Sequence, residues 1–189
     1  MTLAVGTFVD RNTVRFELDY PHPPAAVWNA LVDPDAVRVW FMPMDIELRV
    51  GGRVVLWDTD EPGFEPARGV VTACETNALL EYRFEAGPWR WPASTLRFEV
   101  SAVDEGSRLV FTQQVAPDTV WGVDPEGQVG GIGTIHPGAC AGWEGFFREG
   151  LARFLDGQGA PLYDDADDEM MASRTTVYRD LITATLLEL

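Results

Sequence analysis

The chain has 189 residues, 46% of them hydrophobic and 23% charged, a composition typical of one folded domain with at most a short appendage. Its 30 acidic residues outnumber its 14 basic ones, and the net charge of −16 repels nucleic acids and anionic membranes, so we expect neither as a partner. All 14 basic residues are arginines, which excludes Schiff-base lysine and Walker lysine chemistry.

The sequence predicts a cytoplasmic protein. The N-terminal segment lacks a basic region, and its apolar run stops at Asp10, so we read no signal peptide. Two cysteines, Cys74 and Cys140, cannot form a disulfide framework.

The first predicted elements are a strand and two short helices. Val14, Phe16, Leu18 and Tyr20 alternate with polar residues, which predicts a strand with one buried face. The segments PPAAVWNALVDP and DPDAVRVWF then predict two helices, since proline is favoured at the first helical position.

Six further strands are predicted in the middle of the chain. Alternating or apolar runs occupy residues 45–50, 53–58, 69–75, 79–85, 95–103 and 108–115. The connections are short and rich in Gly, Asp and Asn, which favours an antiparallel sheet of seven strands in all.

Two helical segments follow. Over residues 139–156, apolar side chains recur at helical spacing, and the DGQG sequence ends the helix. In residues 161–189, Val177, Tyr178, Leu181 and Ile182 recur at helical spacing and predict a terminal helix. We expect its Val177, Leu181 and Ile182 face to dock on the domain or on a second copy, so a homodimer is one of the alternatives. The acidic run before this helix is interpreted as a solvated first turn and not as a metal site.

The order of these elements resembles the START-like (SRPBCC) superfamily, in its AHSA-type branch. The segments that carry the resemblance are FELDYPHPPAAVWNALVDPDAVRVWF (16–41), GGRVVLW (51–57), ARGVVTACETNALLEYRF (67–84), STLRFEVSAVDEGSRLVFTQ (94–113) and GWEGFFREGLARFL (142–155). The resemblance implies an α+β helix-grip fold, in which a curved antiparallel sheet wraps a long C-terminal helix and encloses a cavity. We expect a START-like domain at residues 1–159 and a helical extension at 160–189.

No motif for a cofactor or a metal is present, and we expect neither. His22 is interpreted as an exposed turn residue. His136 is either a hydrogen-bonded loop residue or a polar group at the mouth of the cavity. Cys140, in the first turn of the long helix, is interpreted as a small buried hydrophobe.

The aromatic residues suggest the binding site, since seven Trp and ten Phe exceed what a small core requires, although aromatic packing between sheet and helix is the alternative. Gly150 lies on the apolar face of the long helix, where a missing side chain leaves room for a ligand or for close backbone approach, and we expect a ligand. The predicted ligand-binding residues are Trp40, Trp57, Tyr82, Phe98, Phe111, Trp121, His136, Trp143, Phe147, Gly150, Leu151 and Phe154. The Gly-rich segment 117–138 is predicted to be a lid over the cavity.

Three functional hypotheses follow. The first is non-enzymatic binding of a lipophilic, aromatic or polycyclic small molecule. The second is a cofactor-independent enzyme of the polyketide ring-closing type, in which His136, Gln113 or Arg97 polarises a carbonyl. The third is an interaction or resistance protein that sequesters a natural product.

Overall fold

An antiparallel sheet of eight strands frames the protein in a computed structural model that describes residues 6–57, 66–85, 93–117, 135–159 and 165–188. The strands are β1 (Gly6–Asp10), β2 (Thr13–Tyr20), β3 (Met44–Ile46), β4 (Arg53–Leu56), β5 (Ala67–Glu75), β6 (Leu79–Phe84), β7 (Ser94–Val103) and β8 (Gly106–Val115). Their order is β1-β2-β8-β7-β6-β5-β4-β3. Strands β3 to β8 therefore form one meander, and β8 returns to pair with β2.

Side chains on the inner face of the sheet form rows that cross the strands, because successive side chains point to opposite faces. The strand register defines three rows of buried residues: Val115, Ser94 and Phe84; then Val14, Gln113, Leu96 and Tyr82; then Phe16, Phe111, Phe98 and Leu80. The first row lies at the end of the sheet where the described residues flanking 58–65, 86–92 and 118–134 also lie. We call this the loop end.

Two short helices connect β2 to β3. Helix α1 (Pro24–Val32) begins at a proline, and α2 (Pro34–Trp40) is capped by Asp33, whose carboxylate accepts hydrogen bonds from the amides of Asp35 and Ala36. The indole N–H of Trp40 donates to the Ala30 carbonyl at 2.8 Å and joins the two helices. Both predicted helices are confirmed.

A long helix crosses the inner face of the sheet. It consists of α3 (Pro137–Gly145), a π-helical segment (Phe146–Leu151) and α4 (Ala152–Leu155). The Tyr20 hydroxyl donates to the Phe147 carbonyl at 2.9 Å, so a side chain of the sheet satisfies a backbone group within the π-helical segment. The helix ends before Gly157, which has a φ of 70°.

The terminal helix α5 (Asp165–Glu188) packs against α3 and β1. The Tyr178 hydroxyl is buried, donates to Glu144 at 2.8 Å and accepts from the Gly6 amide at 3.2 Å. Arg174 forms two hydrogen bonds, of 2.7 and 3.0 Å, with the Glu149 carboxylate. Its guanidinium approaches the long helix at Gly145, where an added Cβ would lie 3.3 Å from Nη1.

The α+β helix-grip fold class is confirmed, with three differences in detail. The described sheet has eight strands and not seven, because the short segment Gly6–Asp10 pairs with β2. The strand predicted at 45–50 is Met44–Ile46, since residues 47–52 turn back on themselves through local backbone hydrogen bonds. Among the described side chains of α5, Arg174 and Tyr178 are buried, whereas Leu181, which is predicted on the docking face, is exposed.

Candidate ligand-binding site

Aromatic side chains of the long helix rest directly on aromatic side chains of the sheet. The ring centroids of Phe111 and Trp143 are 4.4 Å apart, and those of Phe98 and Phe111 are 4.9 Å apart. Trp143 also stacks on Phe147, one helical turn later, with an angle of 14° between the ring planes. These contacts form an apolar wall beside the loop end.

Gln113 is the polar member of this wall. It is fully buried on β8, and the Trp143 indole N–H donates to its Oε1 at 2.8 Å. Because an indole N–H can only donate, this bond fixes which end of the amide is the oxygen. The other end, Nε2, is buried and has no hydrogen-bond partner among the described residues.

Two more buried polar atoms without a partner occur in the described part of the chain, and both lie at the loop end. They are the Ser94 hydroxyl on β7 and the Asn12 side-chain oxygen in the turn between β1 and β2. Ser94 is paired with Val115, two positions from Gln113 on the same face of β8. Each unpaired buried polar group costs about 1–3 kcal/mol, so their concentration at one end of the sheet calls for an explanation.

The Tyr82 hydroxyl belongs to the same region. Tyr82 is 2% exposed, lies in the same row as Gln113, and packs edge-on against Phe84. Burial raises its pKa well above the usual value for a phenol, so the hydroxyl stays protonated and can donate a hydrogen bond.

The remaining residues of the predicted site are distributed differently. Trp40 is buried between α1, α2 and Phe147, and Trp57 is half-buried at the end of β4. Leu151 is buried and Phe154 half-buried on the long helix. Trp121 and most of the predicted lid, residues 118–134, lie outside the described residues.

Gly150 contacts protein backbone. A Cβ at this position would lie 2.6 Å from the carbonyl oxygen of Trp40, closer than any real contact. The absent side chain lets α2 approach the long helix, which is the alternative that the sequence left open. Gly150 is therefore no longer part of the site that we propose below.

The other residues considered for chemistry have structural partners. His136 caps α3, where its Nδ1 accepts from the Gly138 amide at 3.1 Å. Arg97 lies on the outer face of β7 and pairs with Glu81 and Glu99, so it does not face the core. Cys140 is fully buried, and burial raises the pKa of its thiol, which agrees with its interpretation as a small hydrophobe.

A concavity lies at the other end of the sheet, away from this aromatic wall and beside the π-helical segment. This groove has a volume of about 320 Å³ and is lined by residues 17–22 together with Phe147, Arg148, Ala152 and Asp156. Its polar groups already have partners, since His22 Nε2 lies 2.9 Å from Asp156 and Arg108 contacts Asp19 at 2.7 Å. His22 is thus a half-buried groove residue with a carboxylate neighbour and not a freely exposed turn residue.

The sequence singled out most of the aromatic wall but not all of its polar groups. The sequence predicts Gln113 only as a group for catalysis, and it does not predict Ser94, because a serine at the start of a strand resembles an ordinary turn residue. The usable signal is the alternation of the strands: both residues occupy inward positions, where the other residues are apolar except for Ser107 on β8, which donates to the His22 carbonyl.

The described residues contain neither a metal-binding cluster nor a membrane-spanning helix. No group of three or more His, Cys, Asp or Glu side chains is arranged to hold a metal ion. No described helix is long and apolar enough to cross a membrane.

Comparison with known proteins gives one family match. The family model described as "Activator of Hsp90 ATPase homolog 1-like protein" matches residues 21–156. No curated protein matches the chain.

Solved structures of the same fold are numerous. CalU16 from Micromonospora echinospora is 19% identical, with a TM-score of 0.65 over 90% of this chain and 88% of its own. The protein MLL2253 from Mesorhizobium loti is 28% identical, with a TM-score of 0.59 over 77% of this chain and 97% of its own. DynU16, a protein in the dynemicin biosynthetic locus, is 21% identical, with a TM-score of 0.60 over 81% of this chain and 50% of its own.

Proposed function

Since the chain belongs to the Activator of Hsp90 ATPase homolog 1-like family, whose fold is one of small-molecule-binding proteins, we propose that it binds a lipophilic aromatic molecule between sheet and long helix without chemical conversion. The ligand lies at the loop end, against Phe98, Phe111 and Trp143. The terminal helix α5, on the other side of α3, serves as support for the long helix.

The observation that carries this proposal is the placement of unpaired polar groups inside an aromatic wall. Ligand sites are predominantly apolar and contain a few polar groups that orient the bound molecule. Gln113 Nε2 and Ser94 Oγ fit that description, because both are buried and neither has a partner among the described residues. A purely structural core would instead place apolar side chains at these two positions.

The chemistry of the described residues favours binding over catalysis. The buried Tyr82 hydroxyl and Cys140 thiol have raised pKa values and remain neutral, so neither is an effective base or nucleophile near pH 7. His136 Nδ1 accepts a hydrogen bond from the Gly138 amide at 3.1 Å, so this ring nitrogen is already engaged in capping α3.

Titration of intrinsic tryptophan fluorescence tests the proposal. Polycyclic aromatics, fatty acids and steroids are added in turn; biosynthetic polycycles belong in the panel because DynU16 is a protein in the dynemicin biosynthetic locus. We expect polycycles to quench the emission with micromolar affinity, driven by about 25 cal/mol per Å² of buried apolar surface.

A blocking variant and a matched control locate the binding. Ser94→Leu places a bulky side chain in the proposed site and is expected to abolish quenching, whereas Ser101→Leu, at an exposed position of the same strand, is expected to bind like the parent. If no member of the panel binds, or if Ser94→Leu binds as tightly as Ser101→Leu, the proposed function is wrong.

A further inference from the structure

The chemical identity of the unpaired groups determines what the ligand must carry. Gln113 has one hydrogen-bonding end engaged, because Trp143 donates to Oε1 at 2.8 Å. What remains free is an N–H donor, Nε2, at a position that is 0% exposed. A buried donor is satisfied only by an acceptor, and the described residues provide none.

The two neighbouring hydroxyls can also donate. Ser94 is a diagonal neighbour of Gln113 across β7 and β8, a relation that places side chains within about 7–8 Å of each other. Tyr82 follows in the same row as Gln113, with its pKa raised by burial, so its proton stays in place. Three donors therefore occupy adjacent strands on one buried face.

We propose that the ligand is a flat aromatic molecule with a carbonyl oxygen, which accepts a hydrogen bond from Gln113 Nε2 and a second from the Ser94 hydroxyl. This inference rests on the proposed function and adds to it the functional group that the site selects. A carbonyl oxygen has two lone pairs and can accept from both groups at once. The aromatic rings lie against Phe111 and Trp143, which form the apolar wall.

A purely hydrocarbon ligand would leave Gln113 Nε2 and the Ser94 hydroxyl without a partner. Such a ligand offers no acceptor to Gln113 Nε2, so it gains no binding free energy from that donor. The site therefore discriminates between two ligands of equal shape that differ only in the carbonyl.

The test compares fluorenone with fluorene, in which a methylene group replaces the carbonyl. Equilibrium dialysis against the full chain is expected to show about tenfold tighter binding of fluorenone, the effect of a hydrogen bond to a buried donor. In Ser94→Ala and Gln113→Met this preference falls severalfold, whereas Gln114→Met, at the exposed neighbouring position, retains it.

A second measurement uses the unaltered protein, so its result does not depend on whether the variants fold. The carbonyl stretching band of bound fluorenone moves to lower frequency than in a hydrocarbon solvent if the oxygen accepts hydrogen bonds. If both ligands bind equally and the band stays at its hydrocarbon position, the carbonyl inference is wrong while the proposed function stands. If neither ligand binds and the wider panel also fails, both are wrong.

Discussion

The Ser94 hydroxyl forms no hydrogen bond within the described part of the chain that would stabilise the fold. It is 2% exposed and has no hydrogen-bond partner among the described residues. Residues kept in this state are typical of functional sites, since stability alone would favour their replacement.

This view predicts a gain in stability when the hydroxyl is removed. Ser94→Ala should raise the free energy of unfolding by about 1 kcal/mol, because a buried unpaired group disappears. Urea denaturation measures the effect, with Ser101→Ala as an exposed control that stays within about 0.5 kcal/mol of the parent. A loss of stability in Ser94→Ala would mean that the hydroxyl has a structural partner.

Two glycines of the long helix are predicted to respond in opposite ways to a methyl group. Gly150→Ala forces the new Cβ against the Trp40 carbonyl at 2.6 Å and should cost about 1–3 kcal/mol. Gly142→Ala meets only Phe146, at 3.9 Å, and should stabilise the helix by up to about 1 kcal/mol. Thermal unfolding of the two variants provides the comparison, and equal effects would contradict the close approach of α2.

At the scale of elements, a buried polar contact of Tyr178 attaches α5 to the domain, in addition to the ion pair between Arg174 and Glu149. Tyr178 is fully buried, and its hydroxyl joins α5 to Glu144 of α3 and to the Gly6 amide of β1. Glu144 itself is 1% exposed and also accepts from Arg148 at 3.1 Å. Loss of the hydroxyl leaves the Gly6 amide and one Glu144 carboxylate oxygen without this hydrogen-bond partner.

Tyr178→Phe should therefore lower the free energy of unfolding by about 1–3 kcal/mol. Ser173→Ala, at an exposed position of the same helix, should leave it unchanged or slightly higher. Chemical denaturation followed by circular dichroism measures both. Equal stability of Tyr178→Phe and the parent would show that α5 is held by other contacts.

Elements were more predictable from the sequence than the contacts between them. Proline and Asp33 at the helix starts and Gly157 at a helix end act locally, so the sequence indicated those bounds well. The sequence does not predict β1, because this strand has only five residues and most of them are exposed. It forms by pairing with β2, which a local pattern does not reveal. The function of Gly150 depends on a backbone segment more than 100 positions away, which no local pattern reveals.

The division into a domain at residues 1–159 and an extension at 160–189 stays a prediction. The contacts of α5 with α3 and β1 show where the extension packs on the domain, but not whether the domain folds without it. Deletion of the chain after residue 159 should expose Phe16 and the surroundings of Glu144, with a corresponding loss of stability.

At the scale of the whole molecule, burial predicts how stability changes with pH. Burial raises the pKa values of Tyr20, Tyr82, Tyr178 and Cys140 in the folded protein. In the unfolded chain these groups ionise near their ordinary values, about 8.5 for a thiol and about 10 for a phenol. Their contribution to stability is therefore complete at neutral pH and is lost as the pH rises above these values.

The free energy of unfolding should accordingly fall between about pH 8.5 and pH 11. Urea denaturation across this range measures the fall. Cys140→Ala should remove the earliest part of it, because the thiol has the lowest unfolded-state pKa of the four. A flat profile over this interval would contradict the burial of these groups.

The central claim is that an aromatic ligand binds beside Gln113 and Trp143 at the loop end. Nuclear magnetic resonance of the ¹⁵N-labelled protein during titration with fluorenone tests it most directly. We predict that the side-chain amide signal of Gln113 and the indole N–H signal of Trp143 shift together and saturate, while the side-chain amide of exposed Gln114 stays in place. Binding that shifts groove residues such as His22 and leaves Gln113 and Trp143 unmoved would contradict the account.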